Sequence, residues 1–328
     1  CGACTVLVEG EPMNACLLLA AEMEGKAITT VEGLARNGEL TPLQKSFVHE
    51  GAIQCGYCTP GMVMGAKALI DREPEPSAAD VKRALGGNLC RCGGYQRIIG
   101  AVRHWREHAP AAESALPTVE QAGERRVVGH AVPRSDAPDK VTGRAIFTED
   151  ISLPNMLYGR VLLSPHAHAR VLSVDTSAAE ALPGVKAVIT GKDVSDVLYG
   201  VSPARYDEYV LAKDRVRFVG DEVAAVAAVD EDTADAALAL IKVNYEVLPA
   251  VLDPFEAMRD GAPDIHEAAR GKHNVNTNVE HHFGDVEEGF AEADEVLAES
   301  FVGNFVYQSP IEPHCAISQW DHTRDGFT

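Results

Sequence analysis

The sequence predicts an α+β chain of several domains, and three observations carry that expectation. Seven of the eight cysteines stand within the first 92 residues. At Thr41 the apolar pattern changes from short β-branched runs to helical spacing. Beyond a stretch without apolar periodicity it changes again, to strands alternating with helices. With 328 residues, 46% of them hydrophobic, the chain has apolar content for two or three cores.

Residues 1–40 read as a small β-rich segment, with Thr5 to Val8 extended, Gly10 in a turn and Ala27 to Val31 extended again. Residues 41–107 read as four short helices in a bundle. Thr41-Pro42 followed by Gln44 has the form of a capping box with proline at the first helical position, and Thr59-Pro60 and Ser77 with Asp80 give similar starts. Met62, Val63, Ala66, Leu69 and Ile70 recur at helical spacing, as do Tyr95, Ile98, Ile99, Val102 and Trp105, so each helix has one face to bury against the others.

Residues 108–126 read as a linker, because Ala109 to Gly123 is rich in Ala, Glu and Pro. Residues 127–270 form the next domain, with strands expected over Met156–Leu163, Ala169–Val174 and Val185–Thr190. A strand over Val223–Val229, a helix over Thr233–Ile241 and a strand carrying Val243, Tyr245 and Val247 follow. Residues 271–328 begin a further domain, with a helix near Val286–Ala293 and strands near Val296–Val306 and Ala316–Trp320. Cys1 already stands inside a motif, and the last expected strand has no closing element, so the chain is expected to continue beyond both ends.

A formal net charge of -20 argues against nucleic acid, which needs clustered Lys and Arg. No apolar run approaches the ~18 residues of a membrane span. Gly-rich loops of the dinucleotide or nucleoside triphosphate kind are missing, so NAD and ATP have no support. Disulfides are disfavoured by the odd number of cysteines in the first group and by the short Cys90-Arg91-Cys92 spacing; a reducing, cytoplasmic location is expected.

The cysteines fall into two groups that suit two [2Fe-2S] clusters, each of which needs four ligands. Cys55, Cys58, Cys90 and Cys92 form a complete quartet; Cys1, Cys4 and Cys16 form three quarters of another, with its fourth ligand expected just upstream. Cys58 precedes one expected helix, and Cys90 and Cys92 precede another. Two helix starts, with free N–H groups and positive dipole ends, would therefore face one site and favour negatively charged sulfur. Gly86, Gly87, Gly93 and Gly94 let the backbone wrap closely. Structural zinc is the competing reading, although common zinc spacings lack a Cys-x-Cys half.

In this order the two groups resemble the xanthine dehydrogenase and aldehyde oxidase family, the molybdenum hydroxylases. Cys1-Gly2-Ala3-Cys4-Thr5-Val6 resembles the end of the family's β-grasp, ferredoxin-like motif. Gln54-Cys55-Gly56-Tyr57-Cys58 with Cys90-Arg91-Cys92 resembles its four-helix [2Fe-2S] domain. Gly143-Arg144-Ala145, Ser164 to Arg170 and Val219 to Ala224 resemble its α/β hammerhead domain. Gly284-Asp285-Val286 and Pro310-Ile311-Glu312-Pro313-His314 resemble the start of its molybdenum-cofactor domain. The layout is similar to bacterial aldehyde oxidoreductases, and Asp175 to Ala179 and Ile241 to Pro249 are also similar to 4-hydroxybenzoyl-CoA reductase large subunits.

The resemblance implies a molybdenum-molybdopterin hydroxylase acting on a small aldehyde, N-heterocyclic or aromatic substrate, with two electrons leaving singly through two [2Fe-2S] clusters. It places Gln54 and Cys92 against the pterin. It places the catalytic glutamate, and the substrate site, in a domain downstream of Thr328, so no catalytic residue is expected in this chain and the chain alone is expected to be inactive. With no flavin domain between the helical and hammerhead parts, any FAD would sit on another subunit, and the electron partner would be a flavin-containing subunit or an external acceptor. The alternative is a non-catalytic [2Fe-2S] electron-transfer module that docks on a separate oxidoreductase.

Other candidates read as scaffold. His281 and His282 are adjacent and would point to opposite faces of a strand. His166 and His168 lack a third ligand, Glu312 is not expected to be a catalytic base, and Cys315 is expected to be a buried core thiol.

Overall fold

A computed structural model describes residues 1–107, 134–200, 206–266, 274–304, 306–321 and 323–327. The expected linker over 108–126 lies outside the described residues. The chain divides into two compact units: Cys1–Ile151 with Phe301–Thr328, and Ser152–Ser300.

In the first unit, β1 (Thr5–Val8) pairs antiparallel with β2 (Glu11–Asn14) and, on its other edge, with β3 (Ile28–Thr29). Glu9 and Gly10 join β1 to β2 with φ of 52° and 84°, the two positive values that a two-residue type I′ hairpin turn requires. Four helices follow: α1 (Pro42–His49), α2 (Thr59–Arg72), α3 (Ala78–Ala84) and α4 (Tyr95–Arg103). Two of the three expected starts form capping boxes, while at α2 the N-cap position falls on Cys58, one residue before Thr59, with no side-chain cap. The Gln44 N–H donates to Thr41 Oγ1 at 3.3 Å while the Thr41 N–H donates to Gln44 Oε1 at 2.9 Å; Ser77 and Asp80 do the same at the start of α3. Thr41→Ala should therefore cost about 1 kcal/mol, seen as a lower denaturation midpoint with an unchanged m-value; an unchanged midpoint would show that the cap contributes nothing.

Leu43, Phe47, Met62, Val63, Met64, Val81, Ile98 and Val102 fill the core between these helices, each at most 2% exposed. The segment after the linker joins the same core. Ala137 and Val141 of α5 (Ala137–Thr142) are buried in it, and the buried Gln44 amide donates to the Val141 carbonyl at 2.8 Å. Whereas the sequence pattern starts a new domain at 127, Arg134–Ile151 lies in the first compact unit.

The second unit contains two three-stranded antiparallel sheets. One has the order β4 (Tyr158–Leu163), β8 (Glu222–Ala228), β6 (Val185–Thr190); the other has β7 (Arg215–Val216), β5 (Ala169–Asp175), β9 (Lys242–Val247). The helix α6 (Glu231–Leu240), capped by the Asp230 carboxylate on the Thr233 N–H at 2.7 Å, buries Ala234 and Ala237. The expected strand, helix and strand are all present, but β8 and β9 enter different sheets, so they do not form a parallel crossover unit.

Three expectations change. Among the described residues, Val296–Val306 forms no strand, and Ala316–Trp320 shrinks to β10 (Trp320–Asp321), paired with β11 (Gly326–Phe327). A strand needs a partner edge to make a ladder, and here most of the side chains stand exposed. Cys315 is exposed rather than buried, for the same want of covering residues.

Candidate metal centre

Two loops, each running into a helix, assemble the quartet. Cys58 is the N-cap residue of α2, and Cys55 precedes it on a loop in which Gly56 has φ of 92°. Cys90 and Cys92 lie on the loop before α4. The N-cap of that helix, Gly94, donates its N–H toward Cys90 Sγ at 3.4 Å. Both helix starts therefore meet the thiols, as expected. The Cys90 N–H donates to the Tyr95 hydroxyl at 2.8 Å, and that hydroxyl reaches the Asn88 carbonyl at 3.5 Å, so the first residue of α4 ties down the loop before it.

The four thiols act on one another. Burial first, then Cys90, Cys55 and Cys92, pushes the Cys58 thiol well above its usual range. Burial also raises Cys55, helped by Cys92 and Cys90 and opposed by the Tyr57 N–H. In the free chain these two sulfurs stay protonated, and only a bound cation would let the group ionise together. Among the described residues no group of three or more His, Cys, Asp or Glu side chains stands ready to hold a metal ion, so the ligand set rests on the four thiols that two helix starts bring together, the number that a [2Fe-2S] cluster needs.

In the first group, the structure brings Cys4 and Cys16 together. The Cys16 N–H donates to Cys4 Sγ at 3.5 Å and lowers that thiol, while the bond between the two thiols raises Cys16. Cys4 is thus the more acidic of the two. Cys1 joins through its backbone: its carbonyl accepts the Leu89 N–H at 2.7 Å. The buried Asn88 amide donates to the Gly2 carbonyl at 2.9 Å and to Thr5 Oγ1 at 3.1 Å. These bonds lock the first cysteine loop to the loop that carries Cys90 and Cys92.

Gln54 is exposed and does not cap α2. Its amide nitrogen and Cys90 Sγ each lie 3.7 Å from where a Cβ on Gly94 would stand, so the two flank the same glycine. The segment after the linker closes on this loop. Arg134 Nη1 donates to the Ile53 carbonyl at 3.5 Å, and Lys140 Nζ to the Gln54 carbonyl at 3.4 Å. The Phe147 ring meets Tyr57 edge-on with centroids 5.1 Å apart, and the Tyr57 hydroxyl donates to Glu149, which pushes that phenol up to about 12. On the other loop, the Arg91 guanidinium donates to the carbonyls of Gln308 and, at 3.2 Å, Tyr307.

Asn88, Tyr95 and Lys140 escaped the sequence reading. Tyr95 fits the apolar period of α4 and hides its hydroxyl's role, and Lys140 is distant from the cysteines in sequence. Asn88, two residues before Cys90, was the one local signal. His168 is buried in the second unit, its Nδ1 donating to the Pro249 carbonyl at 2.6 Å, and His281 and His282 are exposed, as scaffold readings require.

Comparison with known proteins follows this geometry along the chain. Residues 30–103 match the [2Fe-2S] binding domain, residues 142–249 the aldehyde oxidase and xanthine dehydrogenase a/b hammerhead domain, and residues 265–328 the molybdopterin cofactor-binding domain. The chain belongs to the molybdenum hydroxylase family. Among molybdenum hydroxylases, it is 31% identical over 365 residues to the probable hypoxanthine oxidase XdhD of Escherichia coli O157:H7, an alignment covering 98% of this chain and 38% of that protein. The solved aldehyde oxidoreductase of Desulfovibrio gigas is similar with a TM-score of 0.70 and 33% identity, over 82% of this chain and 31% of that one. The cluster-bearing part is 49% identical over 104 residues to the nicotinate dehydrogenase small FeS subunit of Eubacterium barkeri, covering 32% of this chain and 66% of the subunit. The chain thus spans about two fifths of the length of the large relative. Within that span lie the family's cluster-binding and hammerhead domains and the start of its cofactor domain. Among the described residues no helix is long and apolar enough to cross a membrane.

Proposed function

We propose that this chain is the electron-relaying and hammerhead portion of a molybdenum hydroxylase, with one [2Fe-2S] cluster held by Cys55, Cys58, Cys90 and Cys92 and a second held in part by Cys1, Cys4 and Cys16. The observation that carries this reading is the direct bonding of the two cysteine loops, Leu89 to Cys1 and Asn88 to Gly2. Loops locked together keep two one-electron centres at a constant separation. When bound, the molybdenum cofactor supplies two-electron oxidation of the substrate, and the clusters accept those electrons one at a time.

The residues of this chain do the holding and shielding. The N–H groups of Gly94 and Cys16 point at sulfur and stabilise its negative charge. Burial of Cys58 keeps water from one side of the second site. Gln54 and Cys92 would face the pterin. No residue of this chain would act as catalytic base, and the substrate would be a small aldehyde, N-heterocycle or aromatic compound. The acceptor would be a flavin-bearing subunit or an external partner; relatives that are themselves small FeS subunits of larger enzymes support such an arrangement.

The test is anaerobic reconstitution with ferrous iron and sulfide. A reddish protein whose reduced form gives [2Fe-2S] electron paramagnetic resonance signals is expected. A colourless protein that retains one zinc per chain would overturn the proposal.

A further inference from the structure

The geometry points to Lys140 and Asp136 as an opposed charge pair that sets the reduction potential of the cluster at Cys55, Cys58, Cys90 and Cys92. This inference rests on the cluster assignment proposed above. Lys140 belongs to α5, after the linker, yet its side chain lies across Gly56, the residue that follows Cys55. A Cβ on Gly56 would stand 2.3 Å from Lys140 Cδ and 2.6 Å from Cγ, so only glycine leaves room for the lysine stem. The stem ends in an ammonium that donates to the carbonyl of Gln54, the residue before Cys55, at 3.4 Å. The Lys140 side chain is only 11% exposed. A shielded cation is thus held against the backbone on both sides of one cluster ligand.

Charge balance gives the sign. Asp136 Oδ2 accepts from Lys140 Nζ at 2.7 Å and from Arg134 Nη2 at 3.0 Å, so a single carboxylate serves two cations and the group keeps one net positive charge. Reduction by one electron makes a cluster one unit more negative. A cation held in partly dehydrated surroundings favours that reduced state, because screening by water is weak there. The carboxylate works against it. Lys140 is therefore a positioning and tuning residue: the ammonium braces the Gln54 carbonyl and raises the potential, and Asp136 limits how far.

Potentiometric titration of the 328-residue chain, loaded anaerobically with ferrous iron and sulfide and reduced with dithionite, tests this by the electron paramagnetic resonance amplitude of the reduced cluster. Lys140→Met should shift the reduction equilibrium about tenfold toward the oxidised form, about 59 mV lower for a one-electron couple. Asp136→Asn should shift it the other way, and Lys140→Arg, which keeps the positive charge, should shift it less than Lys140→Met does. Loosening of the loop alone would not give shifts of opposite sign. Unchanged potentials, or shifts of the same sign in Lys140→Met and Asp136→Asn, would overturn the inference. If Lys140→Met does not load, Asp136→Asn decides alone: no upward shift overturns it. A parent chain that forms no [2Fe-2S] cluster would refute the underlying assignment instead.

Discussion

Replacing Cys58 with serine should leave a folded chain that no longer assembles the cluster of the complete quartet. Cys58 is the most buried of the eight cysteines, stands at the N-cap position of α2, and interacts with all three other thiols of its group. A serine hydroxyl in its place costs about 1–2 kcal/mol through incomplete hydrogen bonding. That is small against a domain's total stability. Loss of the ligand is not small, since a serine hydroxyl replaces a thiolate at a centre that needs four. After loading, iron content and the corresponding resonance signal should fall by about one cluster per chain, while far-ultraviolet circular dichroism stays as in the parent. Cys315→Ser, exposed and outside both groups, is the control and should load normally. Full cluster content in Cys58→Ser would remove Cys58 from the ligand set.

Gly61→Ala should destabilise the first unit by about 2 kcal/mol, although alanine is the better helix former. Gly61 lies in the first turn of α2, buried against the first cysteine loop. A Cβ there would stand 2.0 Å from the Gly2 carbonyl oxygen and 3.0 Å from that of Ala3. Both obstacles are backbone, and Gly2 is itself held by the Asn88 amide, so neither can swing aside. Overpacking of this kind costs about 3 kcal/mol, against a helix-propensity gain of about 1 kcal/mol. Gly33→Ala, whose nearest new neighbour would be Thr29 Cγ2 at 3.8 Å, should change stability by less than about 0.5 kcal/mol. Denaturant unfolding of the three proteins measures the difference. If Gly61→Ala is as stable as the parent, the close approach of α2 to the Cys1–Cys4 loop is wrong.

Where signals are local, the sequence was legible. Thr41 with Gln44 and Ser77 with Asp80 announce helix starts because a cap involves residues three apart. The periodic apolar residues of α2, and Ile98, Ile99 and Val102 of α4, proved to be core residues, whereas Tyr95 is exposed and Trp105, beyond the end of α4, only packs against the core. The strands of the second unit were visible as β-branched runs, but which sheet each joins was not: β8 and β9 flank one helix and still part company. Val296–Val306 is rich in valine and phenylalanine, residues that favour strands, and does not form one among the described residues, because a ladder depends on a partner that local composition does not reveal.

The same division runs through the candidate site. The cysteine groups, the glycines around them and the family were legible along the chain, because ligand chemistry demands particular residue types at particular spacings. That Asn88 and Leu89 bond the first loop to the second, that Gly61 admits the Gly2 carbonyl, and that Lys140 lies across Gly56 emerged only from the packing. Those contacts join residues far apart in the chain. They follow from burial of Val141 and from helix packing, which bring distant segments together without leaving a mark on the residues nearby in sequence.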